Sequence, residues 1–586
     1  MIVVGVSALY HDSACAVMID GRLVAAAHEE RFTRRRNDPA MPARAFRHCL
    51  EKAGVRIEQI DRLAYYENPT AKLSRQLWTT LSGPAAELPA GALFRLDADR
   101  PLREIRELLG HEGPVDFVTH HEAHAASAFY CSGFRESALL VADAVGEWAT
   151  TSYGRADAAG GLELLEEVRF PDSLGLFYSA VTNYLGFDVN SDEYKVMGLA
   201  PYGKTRFLDQ LESLLIDGPQ GQFRLDPRYF DFRDERRMFT DALAELLGVP
   251  ARAPQDELLP VHEDIAASLQ GALENILLRK ATHLHERTGS RRLCYAGGVA
   301  LNCVANGALR TRGPFDELFV QPAAGDAGGA VGAAALVHHR HTGDFPGRRL
   351  RDARLGHAER PGRVAEMLRL AGIPAEDHTG DEGGLLRAAA AELAGGAVLG
   401  WFQGAAEFGP RALGSRSILA DPRDDTMRDR INALVKKREA FRPFAPAVVA
   451  ERCAEFFDLD VESPFMLETA QVRVEGLPAI THIDGSARVQ TVAADVDGRF
   501  HGLLTAFGER TGFPVLLNTS FNMRGEPIVN TAADALACFV RSRLDVLVLD
   551  DQLIRRDDVP PAALHRLEQA SPYRAPSVSE TVYTFF

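Results

Sequence analysis

The stretch Val118–Phe129, VTHHEAHAASAF, sets two histidines, His120 and His124, four residues apart. On a helix that spacing puts both imidazoles on one face, with Cβ atoms roughly 6 Å apart, close enough to bind one metal ion. The residues before it, Val115 to Thr119, are short and β-branched like a strand end, and AHAASAFY after it carries a helical pattern. The pair therefore falls on the first turn of a helix leaving a sheet, an α/β arrangement. Two histidines four apart also serve as an ordinary helix start, so the metal reading needs support from other residues.

With 586 residues the chain is too long for one core, and two domains of unequal type are expected. No run approaches the roughly 18 uninterrupted apolar residues of a membrane span, and MIVVGVSALYHDSA lacks the pattern of a secretory signal, so a cytoplasmic protein is expected. The seven cysteines are scattered without a C-x-x-C, which indicates neither a zinc knuckle nor a disulfide framework. A net charge of −16 argues against a nucleic-acid backbone as the main partner but leaves locally bound phosphates open.

The first 30 residues read as strands: MIVVGVSAL, then HDSACAVMID, a tight turn at Gly21-Arg22, and LVAAAHEERF. His11 and Asp12 fall where the first strand turns over, either as turn formers or as a catalytic couple facing a cleft. RFTRRRND, Arg31 to Asp38, is a solvated face or a phosphate or substrate contact. Residues 42–112 read as mostly helical. After the histidine pair, ALLVAD is a buried strand ending in Asp143, with Gly146 close behind; strand ends are where α/β folds keep ligand residues. LCYAGGVALNCVANGAL reads strand, Gly297-Gly298, helix, and LFVQPAAGDAGGAVGAAAL repeats the plan around Gly325 and Asp326. Glycines between a strand and a helix let a nucleotide approach the backbone. Gly297, Gly298, Asn302 and Gly325 are therefore candidates for holding one. His120, His124, Asp143 and Asp326 together form a ligand set suited to Fe(II), Mn or Zn.

A domain boundary is expected near residue 348. Beyond it, FGPRALGSRSIL makes a rigid, cation-bearing loop between strands. INALVKKREAFRPFAPAVV brings Lys436, Lys437, Arg438 and Arg442 close in sequence. Arg488 and the run LNTSFN, with Asn518 and Ser520, follow. Guanidinium forks match phosphate and carboxylate oxygens, so these loops suit oxyanions; pairing to the many Asp and Glu residues explains each segment equally well.

Taken together, HDSACAV, EERFTRR, HHEAHAASAF, YKVMGLAPYG, GGVALNC, GDAGGAVGAA, FGPRALGSRSIL, REAFRPFAP and LNTSFN resemble, in order, the NodU/CmcH family of O-carbamoyltransferases. The resemblance implies an α/β protein of two domains: residues 1–348 with the actin-like, Kae-like ATPase fold, and 349–586 with a YrdC-like carbamoyl-adenylating fold. It implies ATP with Mg²⁺, carbamoyl phosphate as co-substrate, and Fe²⁺ or another divalent metal. Carbamoyl-adenylate would form in the second domain and pass its carbamoyl group to an alcohol in the first. His120, His124, Asp143 and Asp326 match the family's metal positions. His11, beside Asp12, matches its candidate base. Arg411, Lys436, Arg442, Arg488, Asn518 and Ser520 match its carbamoyl phosphate and nucleotide contacts. Arg36 stands where related chains carry a lysine at the intermediate. The expected partner is a small-molecule alcohol such as a secondary metabolite, with no nucleic acid and no membrane; oligomeric state has no signal in the sequence. An actin-like sugar kinase or ATPase leaves the histidine pair and the second domain unused. A scaffold that has lost catalysis would not keep the whole residue set.

Overall fold

The computed structural model describes residues 1–81, 96–232, 237–436, 439 and 441–570. Two compact units emerge: Met1–Glu29 with Asn37–Leu350, and Glu30–Arg36 with the chain from Arg351 onward. The segment Glu30–Arg36 thus leaves the first unit, although a single cut near residue 348 would keep it there. Its membership of the second unit has a local cause. Arg31 donates to the Gly409 carbonyl at 2.8 Å, and Arg34 donates to the carbonyls of Ile528 and Pro527 at 2.6 and 2.8 Å.

The first unit is built from two five-stranded sheets of the same plan. In one, β1 (Ile2–Ser7), β2 (Ala14–Ile19) and β3 (Arg22–His28) form an antiparallel meander, and β4 (Arg62–Tyr65) and β5 (Val115–Phe117) extend it in parallel on the other side of β1. In the other, β6 (Glu136–Ala142), β7 (Ala149–Asp157) and β8 (Gly161–Arg169) form the meander. A side hairpin, β9 (Leu215–Asp217) and β10 (Phe223–Leu225), follows in the chain, and then β11 (Arg292–Ala296) and β12 (Glu317–Val320) complete the second sheet in parallel with β6. Each sheet therefore has the order 3-2-1-4-5, and the duplication is that of the actin-like ATPase fold. The turn before β3 places Asp20 and Gly21 at φ of 47° and 74°, the two left-handed residues a tight hairpin requires.

Four helices of this unit are α1 (Ala43–Ala53), α2 (Pro69–Leu81), α3 (His120–Ser132) and the long α4 (Pro260–Thr288); a fifth, α5 (Asp326–Thr342), follows β12 as α3 follows β5. The expectation of a mostly helical stretch over 42–112 misses β4. Four residues are too few to carry a readable period, and β4 exists because β1 lies beside it to pair with. Helices α3 and α5 pack against each other along their length. Their closeness follows from side-chain size: a Cβ on Gly332 would sit 1.8 Å from the Ala123 carbonyl oxygen, and one on Gly5 of β1 would sit 1.8 Å from that of Ala330.

The second unit is an α/β unit with an eight-stranded mixed sheet. Its strands are β13 (Glu376–Asp377), β14 (Leu399–Phe402), β15 (Arg416–Ala420), β16 (Ala445–Val449), β19 (Gln490–Val492), β20 (Val515–Ser520), β21 (Val546–Leu549) and β22 (Gln552–Arg555), in the order 13-22-21-14-15-20-16-19. A separate hairpin joins β17 (Thr469–Gln471) and β18 (Ser486–Arg488). Alternation of side chains assigns the faces. Leu399, Trp401, Leu419, Leu516 and Val548 pack under α6 (Glu382–Ala394) and α7 (Gly498–Thr511). Phe402, Ile418, Leu517 and Leu547 pack with α8 (Ala532–Ser542) on the other face.

Gly332→Ala tests the helix packing. The added methyl cannot be accommodated without moving α3, so the variant should lose about 3 kcal/mol or more of stability. Calorimetric unfolding that leaves the midpoint where the parent has it would show that the two helices are not held this tightly.

Candidate functional site

Helix α3 begins at His120 because Thr119 caps it: its Oγ1 accepts from the Glu122 amide, and the Glu122 carboxylate accepts from the Thr119 amide at 3.2 Å. His120 then occupies the first helical position and His124 stands one turn later. Asp143 follows the end of β6, and Asp326 opens α5 after Gly325. All four side chains are buried. His120 Nε2 lies 2.9 Å from His124 Nε2 and 3.1 Å from Asp143 Oδ2, while Asp326 Oδ1 lies 3.6 Å from both imidazole nitrogens. One ligand atom from each residue falls within 4.8 Å of the others. Two imidazoles and two carboxylates converging without intervening side chains are a donor set that fits a divalent cation. In the protein alone their charges interact directly. Burial disfavours a charged His124, but its hydrogen bonds to Asp143 and Asp326 outweigh this and raise its pKa to about 9. Burial likewise opposes ionisation of Asp143, and the two histidines overcome it, holding the carboxyl well below its usual range.

The chain around the cluster is shaped to it. The Glu147 carboxylate accepts from the backbone amides of His120 at 2.9 Å and Asn68 at 2.6 Å, so one buried acid anchors the starts of both α3 and α2. A Cβ on Gly146 would press into the His120 ring at 2.7 Å. Asp143 Oδ1 accepts from the Gly298 amide at 3.0 Å.

His11 and Asp12 lie in the loop after β1, with Nδ1 and Oδ2 3.0 Å apart. Leu9 and Asp12 in that loop take left-handed φ of 70° and 54°, a strained backbone of the kind that gathers at functional sites. Burial opposes charging of His11, but Asp12, then Asp326 and Asp143, outweigh it and raise its pKa to about 10, with 27% of the side chain exposed. His11 is thus a cation at neutral pH in the metal-free protein.

The expected nucleotide residues divide. Gly297, at φ 95°, is required by the fold itself, since a Cβ there would lie 2.2 Å from the Ala142 carbonyl oxygen. Asn302 caps the helix Cys303–Arg312 through the Ala305 amide and exchanges hydrogen bonds with Gln270. Around Gly325 a Cβ would meet only Leu301 at 3.7 Å, leaving room for a ligand to approach the start of α5.

In the second unit, the loop between β14 and β15 carries Arg411. Glu407 pins it by accepting from the amides of Leu413, Ser415 and Arg416. Arg416, read from the sequence as one of the loop's available cations, is fully buried and structural. It stacks 3.5 Å over Phe402 and donates to the carbonyls of Gln403, His357 and Gly404; burial lowers its pKa to about 10. Asn518 of β20 is buried and donates to Gln490 at 2.8 Å, and Ser520 donates to Asn522 at 2.7 Å. Arg488 lies on β18, and Arg442 lies 3.4 Å from Glu439. Lys436 ends the helical turn Asn432–Lys436; its side chain, with Lys437 and Arg438, lies outside the described residues. Arg36 ends the segment Glu30–Arg36 and is exposed.

Two family models match this chain: carbamoyltransferase N-terminus over residues 2–86 and 103–335, and carbamoyltransferase C-terminus over residues 390–556. The chain belongs to the carbamoyltransferase family. It is 43% identical to a protein of Synechocystis sp. over 95% of this chain and 97% of that one. It is 40% identical to the nodulation protein NolNO of Sinorhizobium fredii, over 96% of this chain and 81% of that one. It is also 38% identical to the 3'-hydroxymethylcephem-O-carbamoyltransferase of Amycolatopsis lactamdurans, over 44% of this chain and 48% of that one.

This carbamoyltransferase therefore brings His120, His124, Asp143 and Asp326 together in its first unit, with His11 close enough for the two aspartates to act on it. Glu147 and Glu407 escape sequence reasoning. Each is an acid whose partners are backbone amides, and backbone partners leave no trace in residue spacing.

The raised pKa of His124 has a measurable consequence. Its value of about 9 lies above the unfolded value near 6.5, so the stability it contributes is complete below about pH 6.5 and is lost as pH rises through about 9. Metal-stripped protein should lose about 3 kcal/mol between pH 6 and 10 from this group. The check is the unfolding free energy against pH in the parent and in His124→Asn; an identical pH dependence in both would refute the coupling.

Proposed function

We propose that this carbamoyltransferase works in two steps at two sites. In the second unit carbamoyl phosphate is hydrolysed to carbamate and phosphate. The carbamate oxygen attacks the α-phosphorus of ATP, brought in with Mg²⁺, and pyrophosphate leaves, giving carbamoyl-adenylate. In the first unit an acceptor hydroxyl attacks the carbamoyl carbon, AMP leaves, and a carbamate ester forms. The single observation that carries this reading is the buried convergence of His120, His124, Asp143 and Asp326 beside His11.

His120, His124, Asp143 and Asp326 would hold Fe²⁺ or another divalent ion, which supplies Lewis-acid stabilisation of negative charge on a departing phosphate group. Glu147 holds the His120 backbone so that this ligand set is formed before substrate arrives. His11 is placed to take the hydroxyl proton. A base of this kind needs a pKa near the working pH; Asp12 raises that of His11 most, and a bound cation would offset the further contributions of Asp326 and Asp143. Gly325 leaves the start of α5 open to the adenylate. In the second unit Arg411, Lys436, Arg442 and Arg488 neutralise the phosphates, with Asn518 and Ser520 as polar contacts on the loops and strand end around them. Carbamate and its adenylate are unstable in water, so performing both steps in one chain limits their loss.

The acceptor is a small-molecule alcohol, in keeping with the cephem hydroxymethyl group named for the Amycolatopsis relative. No helix among the described residues is long and apolar enough to cross a membrane, and we place the enzyme in the cytoplasm, where ATP is supplied.

Release of AMP and pyrophosphate from ATP with carbamoyl phosphate tests the division of labour. Arg442→Ala should abolish pyrophosphate release. His120→Ala should still release pyrophosphate but transfer no carbamoyl group to an alcohol. Cleavage of ATP to ADP, or pyrophosphate release indifferent to Arg442, would defeat the two-site reading. Glu147→Ala should hold its metal about 10- to 100-fold more weakly; metal content after dialysis against chelator reads this, and full retention would deny Glu147 its anchoring role.

A further inference from the structure

Attack of a hydroxyl on a carbamoyl group develops negative charge in two places: on the departing phosphate, and on the carbonyl oxygen as its carbon becomes tetrahedral. The metal ligands answer the first and His11 takes the proton of the attacking hydroxyl, which leaves the carbonyl oxygen in need of a donor. The neighbour of His11 is equipped to be one. Tyr10 is half-buried, and its ring lies 4.8 Å from that of His11 at 33°, close to parallel. Lys72 of α2 stands 5.7 Å over the Tyr10 ring and is itself held by Glu67 at 2.7 Å, so a cation fixes the ring in place. Among the described residues, no group takes a hydrogen bond from the Tyr10 hydroxyl.

The loop that carries both residues is tied down on each side. The Leu9 amide donates to the Pro39 carbonyl at 2.8 Å, the Ser13 amide to the Asp38 carbonyl at 3.0 Å, and the Tyr65 hydroxyl to the Ala8 carbonyl at 2.9 Å. Tyr10 and His11 are thus delivered together from one strained turn, between the left-handed residues Leu9 and Asp12. Burial, then Asp326 and Asp143, push the Tyr10 pKa well above its ordinary value, so the phenol keeps its proton at neutral pH. The same two aspartates act on His11, which relates both side chains to the four-residue ligand set. His11 turns Nδ1 to Asp12 and keeps Nε2 for the acceptor's proton.

We propose that Tyr10 is a further catalytic residue, its hydroxyl donating to the carbonyl oxygen of the carbamoyl group during transfer; this deepens, and rests on, the two-step reading given above. The acceptor oxygen bonds to the carbamoyl carbon and gives its proton to His11 Nε2, while the C=O π pair moves onto the oxygen that accepts from Tyr10. That pair then returns to re-form the C=O bond. The bond from the carbamoyl carbon to the adenylate oxygen breaks, and AMP leaves with its electrons. Tyr10 acts only as a donor and loses no proton. Its hydrogen bond is strongest in the tetrahedral adduct, where charge on the oxygen is greatest, so it lowers the barrier rather than merely holding the substrate. A tyrosine that only packed against His11 would use its ring alone, and phenylalanine would serve as well.

The test is Tyr10→Phe in the whole protein loaded with Fe²⁺, given ATP and carbamoyl phosphate in single turnovers. Pyrophosphate release reads adenylation. AMP formation, with glycerol or water as the acceptor, reads transfer, and metal content after dialysis reads the ligand set. The variant should match the parent in pyrophosphate release and bound metal, and transfer at least about 100-fold more slowly. Fluorinated tyrosine at position 10, which keeps the ring and changes the acidity of its hydroxyl, should change the transfer rate. Transfer by Tyr10→Phe at the parent's rate, or a rate indifferent to fluorination, overturns the proposal. Loss of metal or of pyrophosphate release in Tyr10→Phe also overturns it, since the hydroxyl would then be structural. A parent that forms no AMP with carbamoyl phosphate defeats the two-step reading itself, and the proposal with it.

Discussion

Asp143 and Asp326 are buried side by side, and everything in the first unit is arranged so that two imidazoles stand between them. Two carboxylates taken out of water at this distance repel and lose hydration, a cost that only paired positive charge can offset. His124 supplies it in the protein alone, with its pKa raised to about 9. A divalent ion would supply it more fully. Either way the four side chains must be delivered to one point from three separate parts of the chain.

The duplicated sheet makes that delivery possible. The last helix of each repeat, α3 and α5, starts at equivalent ends of the two sheets, so His120 and Asp326 arrive from pseudo-equivalent positions. The loops after the first strands of the two repeats bring His11 and Asp143. Because α3 and α5 must approach closely for this, small residues line their contact, and Gly332, against the Ala123 carbonyl, has no room for a side chain. The small-residue run GDAGGAVGAA is thus a packing requirement of the site as much as a nucleotide signal.

The second unit solves a different problem, that of holding the loop between β14 and β15 in one shape. Glu407 satisfies the amides of Leu413, Ser415 and Arg416, and Arg416 is buried against carbonyls and the Phe402 ring. These two hold in place the loop that carries the half-buried Arg411. The segment Glu30–Arg36 adds Arg31 and Arg34 to the same unit, each donating to backbone carbonyls. Of this run of arginines Arg31 and Arg34 are tied to carbonyls, while Arg35 and Arg36 are exposed.

What the amino-acid sequence determined by itself was local. The four-residue spacing of His120 and His124 implies a shared helix face because the helix repeat dictates it. The hairpin of β2 and β3 was legible because alternation and a Gly turn are short-range signals. Asp143 and Asp326 were visible as acids at a strand end and a helix start, positions where ligand residues collect in α/β proteins. Tertiary structure alone decided the rest. It made β4 a strand by giving it β1 to pair with, and turned Arg416 from a ligand candidate into a buried brace. It assigned Arg31 and Arg34 to the second unit, and made Glu147 the common anchor of two helices. In each case the deciding partner is a backbone group or strand distant in the chain. Such partners leave no spacing or periodicity behind, since backbone amides and carbonyls are the same at every residue.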